Sequence, residues 1–368
     1  MANFYKRHIK DLQLELSSKA GRTRQEMKEA LGIDKLHKLS SNENALGPSP
    51  LAQEAIRKCV HRIHEYDHRT DDQFRMALQS HFSNRIHESQ FISTNSGLEI
   101  IELVMQGFLE PGDEIIISNP TFHVYEIFGK VQGAKIIDVP LQADDFLPDV
   151  ERIHDAITDK TKLLIIANPN NPTGVAIERG ILTRLIEGVP DNVVVLIDEV
   201  YHHFSQLDDF PYAIDYIEKG HPVVGMHSFS KAYGLAGIRL AYGFASREMA
   251  EYLQKLRRPF FINTMSMEAG LAALQDKDHF SRTQALIKEE KSKLYSAFDR
   301  LGLKYWESHT NFILVRPEVD HYDLIDRMLQ YGIMLRSGDN NGAAGCIRIT
   351  IGLPESNKLL IKALESEL

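Results

Sequence analysis

Short runs rich in valine and isoleucine recur through the middle of the chain, at intervals long enough to hold a helix. Most of these runs lack polar alternation, which is typical of strands that are buried on both faces. Between residues 97 and 108, Leu98, Ile101 and Met105 fall on one helical stripe. Strands that alternate with helices predict a mainly parallel α/β sheet with right-handed crossovers. The predicted strands cover residues 90–93, 114–118, 135–139, 162–167, 192–198, 221–229 and 240–244, and we expect an antiparallel exception near the last of them.

The two ends of the chain have a different pattern. The first part is charged and loosely helical, whereas the chain beyond Pro259 has a long amphipathic stretch at 281–301. Two short strand patterns follow at 311–315 and 346–351, and the alternation in the second predicts a sheet with one face in solvent. We therefore expect an N-terminal arm at 1–47 that packs with the small domain or a partner subunit, a large α/β domain at 48–262 and a smaller α+β domain at 263–368.

Composition excludes several classes of protein. The chain has 42 basic and 51 acidic side chains, a net charge of −9, and no long run of one sign. Nucleic-acid and anionic-membrane proteins need a concentrated basic face, so neither partner is expected. Cys59 and Cys346 are too far apart to suggest a metal site, and we expect free thiols in a reducing compartment. No run of 18 apolar residues occurs and the first ten residues are charged, which favours a cytoplasmic protein.

The most informative segment is 227–239, H-S-F-S-K-A-Y-G-L-A-G-I-R. Lys231 follows a predicted buried strand and lies among small residues, where partial desolvation favours the nucleophilic free amine that Schiff-base chemistry requires. Ser228, Ser230 and Arg239 offer hydroxyl groups and a guanidinium fork that suit a phosphate. Taken alone, the segment is more simply interpreted as a surface loop beside a helix start.

Polar side chains also follow two neighbouring predicted strands. Asp198 ends the strand 192–198, at the edge where α/β sheets bind ligands, and a carboxylate there can keep a pyridine nitrogen protonated. The alternative is a helix N-cap. The loop 168–174, N-P-N-N-P-T-G, follows another strand and offers amide donors, or is simply a tight connection. Three such loops at three strand ends indicate one shared ligand.

Two further segments fit a phosphorylated, flat ligand. Ser96 and Gly97 precede a predicted helix, whose N-terminal amides form an anion site. Phe122, in N-P-T-F-H-V-Y, is placed to stack on a heteroaromatic ring, although a core phenylalanine has the same pattern. The histidines at 61, 64 and 68 are interpreted as part of a polar loop, and no metal site is expected.

The segments N-P-N-N-P-T-G, D-E-V-Y and S-F-S-K, with an arginine eight positions beyond the lysine, resemble the fold-type I pyridoxal-phosphate aminotransferases. The opening L-S-S-N-E-N-A-L-G-P-S-P at 39–50 resembles the histidinol-phosphate aminotransferase branch. The resemblance implies pyridoxal 5′-phosphate as cofactor, an aspartate-aminotransferase-like large domain with a mostly parallel seven-stranded sheet, a smaller α+β domain built from both chain ends, and a homodimer with shared active sites.

The resemblance also implies roles for individual residues. Lys231 is expected to hold the cofactor covalently and to move the proton of the substrate Cα, while Asp198 pairs with the pyridine nitrogen. The remaining cofactor contacts are Tyr201 and Asn171 to the phenolic oxygen, Phe122 to the ring face, Ser96, Gly97, Ser228, Ser230 and Arg239 to the phosphate, and Tyr66 to the phosphate of the partner subunit's cofactor. The substrate contacts are Arg348 to the α-carboxylate, Arg336 near the distal end and Asn44 beside the substrate; an exposed strand arginine is the alternative for Arg348.

Departures from the branch pattern affect the substrate more than the cofactor. Ser18 stands where the branch has a tyrosine near the substrate, and Tyr66 is followed by Asp67 and His68 in place of proline and aspartate. The expected reaction moves an amino group from an amino-acid or amino-phosphate donor to a 2-oxo acid, with histidinol phosphate and 2-oxoglutarate as candidates. The alternatives are a decarboxylase of the same fold, a non-catalytic sensor of the cofactor, and a lyase that uses Lys231 without cofactor. The sensor is disfavoured because roughly the first 40 residues show no helix-turn-helix pattern and no basic patch.

Overall fold

The computed structural model describes Ile9 and residues 24–33, 35–66 and 71–368. Ser18, Asp67 and His68, on which some predictions above depend, lie outside these residues. Among the helices so described, none combines the length and the apolarity that crossing a membrane requires.

The strands, numbered along the chain, are β1 (His37–Lys38), β2 (Phe91–Thr94), β3 (Glu114–Ile117), β4 (Lys135–Asp138), β5 (Thr161–Ala167), β6 (Val194–Asp198), β7 (Val223–Ser228), β8 (Ala241–Phe244), β9 (Lys304–Tyr305), β10 (Phe312–Arg316), β11 (Ile333–Met334), β12 (Arg336–Ser337) and β13 (Ile347–Thr350). The α-helices are α1 (Arg24–Leu31), α2 (Pro50–Cys59), α3 (Asp72–His81), α4 (Gly97–Phe108), α5 (Val124–Gln132), α6 (Val150–Asp155), α7 (Arg179–Glu187), α8 (Ala213–Ile217), α9 (Arg247–Gln254), α10 (Thr264–Gln275), α11 (Lys277–Arg300), α12 (His321–Gln330) and α13 (Pro354–Glu367).

Seven strands form the large sheet, in the order β2-β8-β7-β6-β5-β3-β4. Neighbouring strands are parallel except where β8 pairs with β2 and β7. The predicted mostly parallel seven-stranded sheet is therefore confirmed, as is the antiparallel exception near residue 240.

Helices cover both faces of this sheet, and the central strand β6 shows why its sequence is continuously apolar. Val195 and Ile197 pack in one apolar cluster with Leu182, while Leu196 packs in a second cluster with Ile101 on the opposite face. All five residues of β6 are buried. Each such side chain contributes about 1.5–3 kcal/mol to folding, so both faces of the strand select apolar residues.

The strand directions determine where the loops meet. The parallel strands β5, β6 and β7 end at Ala167, Asp198 and Ser228 along the same edge of the sheet. Because β8 runs the opposite way, it begins at this edge, two residues after Arg239. The predicted polar loops are thus brought together by strand direction rather than by proximity in sequence.

The chain end forms a four-stranded antiparallel sheet in the order β12-β13-β10-β9. The segment after residue 34 lies against it, because β1 pairs in parallel with β11 and the Thr350 amide donates to the Leu39 carbonyl at 2.9 Å. Helix α10 instead packs on α2 and contributes Met267 to the core of the large sheet. The predicted domain limits stay predictions.

The expectation that strand 346–351 has one face in solvent is wrong. All four residues of β13 are buried. The polar side chains of Arg348 and Thr350 face the N-terminal segment, where they bond to the Ser40 carbonyl at 2.9 Å and to the Asn42 side chain at 3.1 Å. Polar alternation here marks a buried polar contact instead of a solvated face.

Candidate active site

A cavity of about 300 Å³ lies at the edge of the large sheet where β5, β6 and β7 end. Its walls come from the strand-end loops, the start of α4, the N-terminal segment and β13. The predicted site residues that line it are Gly97, Phe122, Asn171, Asp198, Tyr201, Ser228, Ser230, Lys231, Arg239 and Arg348.

Asp198 forms one wall and is buried, with 8% of its surface exposed. The Tyr125 hydroxyl donates to one carboxylate oxygen at 2.6 Å, and the Val200 amide donates to the other at 3.0 Å. Burial raises the pKa of the Asp198 carboxyl to about 6, although both hydrogen bonds and the charge of Lys231 act in the opposite direction. The carboxylate is therefore ionised at neutral pH but poorly solvated, and a cation in the cavity would stabilise it.

Lys231 reaches the cavity from the turn after β7. Its Nζ lies 5.6 Å from the centre of the Tyr201 ring. That ring is buried and packs edge-on against Phe312 at 5.2 Å, which fixes its plane. Phe122 lines the same space, on a different loop. A primary amine, a phenol and an apolar ring thus face one cavity.

Arg348 is a buried cation without a carboxylate partner among the described residues. Its guanidinium donates to Asn171 Oδ1 at 2.6 Å and to the Ser40 carbonyl at 2.9 Å, while its Nε is buried and has no hydrogen-bond partner in the described part of the chain. Burial lowers the pKa of Arg348 to about 10, so the group stays charged at neutral pH. Because Asn171 accepts with its oxygen, its amide nitrogen is left to donate to a ligand.

A second group of lining residues suits an anion. Ser230 donates its amide to the Ser228 hydroxyl at 3.1 Å, and Gly97 is the first residue of α4, so free helical amides point to this region. Arg239 is exposed and donates to the Ala236 carbonyl at 2.9 Å, but makes no ion pair within the described ranges. Two hydroxyls, helix amides and a guanidinium without a counter-ion fit a phosphate group.

Comparison with known proteins gives the family. A family model for aminotransferase class I and II matches residues 34–364. The chain belongs to this family. It is an aminotransferase, and the resemblance inferred from its motifs is confirmed.

Named relatives agree with this assignment. Histidinol-phosphate aminotransferase of Moorella thermoacetica is 35% identical over 345 residues, which cover 94% of this chain and 88% of that protein. Histidinol-phosphate aminotransferase 2 of Caulobacter vibrioides is 36% identical over 351 residues, with 95% and 91% covered. The structure of histidinol-phosphate aminotransferase from Sinorhizobium meliloti in complex with pyridoxal-5′-phosphate has a TM-score of 0.86 at 22% identity, covers 100% of this chain and 99% of its own, and supports the fold.

Four predicted site residues of the aminotransferase do not line the cavity. Ser96 precedes Gly97 as the helix cap. Tyr66 is 72% exposed, and its ring lies 4.8 Å from that of Phe260. Arg336 lies opposite Arg348 in the pairing of β12 with β13. Asn44 donates to the Ala232 carbonyl at 2.9 Å and to the Thr283 hydroxyl at 3.2 Å.

Tyr125 and Asn42 are among the cavity-lining residues to which the motifs assigned no role. Tyr125 ends the motif N-P-T-F-H-V-Y, three residues beyond Phe122, and this proximity is the one local signal for it. Asn42 is brought in by contacts with β13 about 300 residues away, and no local pattern signals it.

Proposed function

We propose that this chain is a pyridoxal-phosphate-dependent aminotransferase that moves an amino group from an amino-acid or amino-phosphate donor to a 2-oxo acid. One observation carries the proposal: a buried carboxylate, Asp198, and a buried guanidinium, Arg348, line one cavity together with the amine of Lys231. A ligand that is cationic at one point and carries a carboxylate at another would compensate both buried charges.

The residues present fit pyridoxal phosphate. The poorly solvated Asp198 suits a protonated pyridine nitrogen, and Phe122 offers a ring face. The amide nitrogen of Asn171 and the hydroxyl of Tyr201 suit the phenolic oxygen, while Ser228, Ser230, Arg239 and Gly97 suit the phosphate. Ser96, which caps the helix that Gly97 begins, is proposed to support the phosphate site without lining the cavity. When bound, the cofactor supplies an electron sink that accepts the charge left on the substrate when its Cα proton departs.

The chain's own groups then have separable tasks. Lys231 would hold the cofactor and, as a free amine, would take the proton from the substrate Cα. Arg348 holds the substrate α-carboxylate in a two-point contact, and its bonds to Asn171 and Ser40 prevent it from turning away. This anchoring places the Cα–H bond near the lysine amine, which favours proton removal over loss of the carboxylate.

We extend the proposal to the substrate and the assembly. Histidinol phosphate with 2-oxoglutarate is the first pair to test, because the relatives above carry that name. Arg336 and Asn44 are proposed to lie near the substrate. A homodimer is proposed because Ile63, Tyr66 and Phe260 expose 66%, 72% and 53% of their surface, and Tyr66 would then reach the partner's cofactor phosphate. Both cysteines are buried and neither forms a disulfide in the described part of the chain; we propose a cytoplasmic location, with which this agrees.

The test is a visible spectrum of purified protein loaded with pyridoxal phosphate, with Lys231→Ala and the exposed-lysine control Lys293→Ala. We expect a visible absorbance band from the cofactor bound to the Lys231 amine, which persists in the control and disappears in Lys231→Ala. Histidinol phosphate, glutamate and aromatic amino acids are then added one at a time.

Each outcome has a distinct meaning. Loss of the band with formation of the aminated cofactor identifies the amino donor and establishes half of the reaction. A Lys231-dependent band that bleaches only with release of carbon dioxide means that the added compound loses its carboxylate instead of donating its amino group, and is not the donor. If folded protein gives no such band, both the cofactor and the function proposed here are wrong.

A further inference from the structure

Asn42 has an unusual backbone conformation at the edge of the cavity. Its φ is +54°, in the left-handed region, and only 1% of its surface is exposed. Asparagine tolerates this region better than most residues but still adopts it at a cost. Surrounding contacts therefore hold it in place, and the direction of its side chain is imposed by the fold.

Those contacts come from the C-terminal sheet. The Asn42 amide donates to the Thr350 hydroxyl oxygen at 2.9 Å, and its carbonyl accepts from the Asn311 side chain at 3.0 Å. The Thr350 hydroxyl in turn donates to Asn42 Oδ1 at 3.1 Å. Because the oxygen of the side-chain amide is occupied by this bond, its nitrogen must point the other way.

The nitrogen donates to the Tyr201 hydroxyl oxygen at 3.0 Å. The lone pair of an amide nitrogen is delocalised into its carbonyl group and does not accept a hydrogen bond, so Tyr201 cannot donate in return. The Tyr201 hydroxyl proton is consequently left for another acceptor. Since the Tyr201 ring is held by Phe312, the space open to that proton is the cavity shared with Lys231.

We propose that Asn42 is a positioning residue that turns the Tyr201 hydroxyl proton toward the phenolic oxygen of the cofactor. The inference rests on the proposed function, which places Tyr201 beside that oxygen. A donor at the phenolic oxygen withdraws negative charge from it and weakens its hold on the proton of the neighbouring Lys231 nitrogen. Asn42 thereby lowers the proton affinity of the Lys231–cofactor linkage without contacting the cofactor.

Two substitutions separate this role from simple anchoring of the segment. Asn42→Asp keeps the shape and the bond to Thr350 but replaces the donor by an acceptor, so the Tyr201 proton turns toward the new carboxylate and away from the cavity. Asn42→Gly keeps the left-handed backbone without strain and removes the amide. Tyr201→Phe removes the hydroxyl that both substitutions are meant to act through.

The experiment is a pH titration of the visible band of the pyridoxal-phosphate-loaded protein. We expect Tyr201→Phe to raise the proton affinity of the Lys231–cofactor linkage about tenfold, Asn42→Asp to raise it by nearly as much, and Asn42→Gly to raise it about threefold. In the Tyr201→Phe background, neither Asn42 substitution should shift the titration further. Circular dichroism checks that each variant is folded.

The two proposals fail in different ways. A Lys231-dependent band whose titration is unchanged in folded Asn42→Asp overturns this inference and leaves the proposed function standing. A shift that persists undiminished in the Tyr201→Phe background also overturns it, because Asn42 would then act by another route. If both Asn42 variants fail to fold, the residue is structural and the inference is wrong. A wild-type protein with no Lys231-dependent band removes the proposed function and the inference with it.

Discussion

Asp198 is expected to destabilise the protein when the cofactor is absent. Its carboxyl has a pKa near 3.8 in the unfolded chain and about 6 in the folded one, because burial disfavours the ionised form. A raised carboxyl pKa means that the folded state holds its proton more tightly. The penalty is absent below pH 3.8, grows as the pH rises to about 6, and is constant above that.

Replacing Asp198 by asparagine removes this penalty with little change of shape. At about 1.4 kcal/mol for each pH unit, the shift from 3.8 to about 6 corresponds to at most about 3 kcal/mol at pH 8. The hydrogen bonds survive, since the amide oxygen accepts from Val200 and the amide nitrogen donates to the Tyr125 hydroxyl. The apoprotein of Asp198→Asn should therefore be more stable than wild type.

Thermal unfolding of both apoproteins at pH 5 and pH 8 checks this. The unfolding entropy is about 2.1 cal/mol/K per residue over 368 residues, so about 3 kcal/mol of added stability raises the unfolding midpoint of Asp198→Asn by about 4 °C at pH 8. At pH 5 the rise should be roughly half of that. Asp326→Asn, at an exposed position on α12, should change the midpoint little at either pH. With pyridoxal phosphate bound, the wild type should be the more stable of the two, because only its Asp198 carboxylate can pair with the protonated pyridine nitrogen. A variant that is less stable than wild type at pH 8, or a difference that is the same at both pH values, would refute the reasoning.

Three other substitutions have clear expectations. Burial lowers the pKa of His203 well below 6.5, so the folded state holds this side chain neutral. Its contribution to stability is complete above pH 6.5 and is lost as the pH falls, because the unfolded chain then binds a proton that the folded chain does not. Between pH 7.5 and 5.5, the thermal unfolding midpoint of His203→Phe should therefore fall less than that of the wild type. Gly234 has φ +70° and an added Cβ would strike the Gly47 carbonyl, so Gly234→Ala should cost at least about 2 kcal/mol in urea unfolding, whereas Gly237→Ala, which meets open space, should not. Arg348→Lys loses the planar fork and should lower kcat/KM for the amino donor about 30-fold, mainly through KM in steady-state kinetics.

The strands and helices of the large sheet were predictable because their signals are local. The run at 162–167 is observed as Thr161–Ala167 and the helix at 97–108 as Gly97–Phe108. A parallel sheet covered on both faces demands apolar residues at every position, which leaves an unmistakable pattern. The strand-end loops were predictable for a related reason, because parallel strands bring their carboxyl ends to one edge.

The contacts between the chain ends were not predictable in the same way. Asn42 and Thr350 are hydrogen-bonded although 308 positions separate them, and neither segment has a sequence pattern that predicts this contact. The alternation around Arg348 suggested solvent because a polar residue between isoleucines has that pattern at any half-exposed strand. Arg348 is buried because the N-terminal segment covers it, with the Arg348 guanidinium donating to the Ser40 carbonyl at 2.9 Å.

Burial of the charged groups explains more about the reaction than the motifs do alone. Asp198 and Arg348 each lie in a place where water solvates them poorly, and the directions of their pKa shifts both reflect that loss. A ligand that brings only a cation relieves Asp198, and a ligand that brings only a carboxylate relieves Arg348. Under the proposed function, a pyridinium cofactor and an amino acid would together supply both charges, so the two buried groups would favour binding of the pair over either part. Under the proposed function, the Cα of that amino acid would lie in the cavity that Lys231 also lines, and transfer of the Cα proton to the lysine would be favoured.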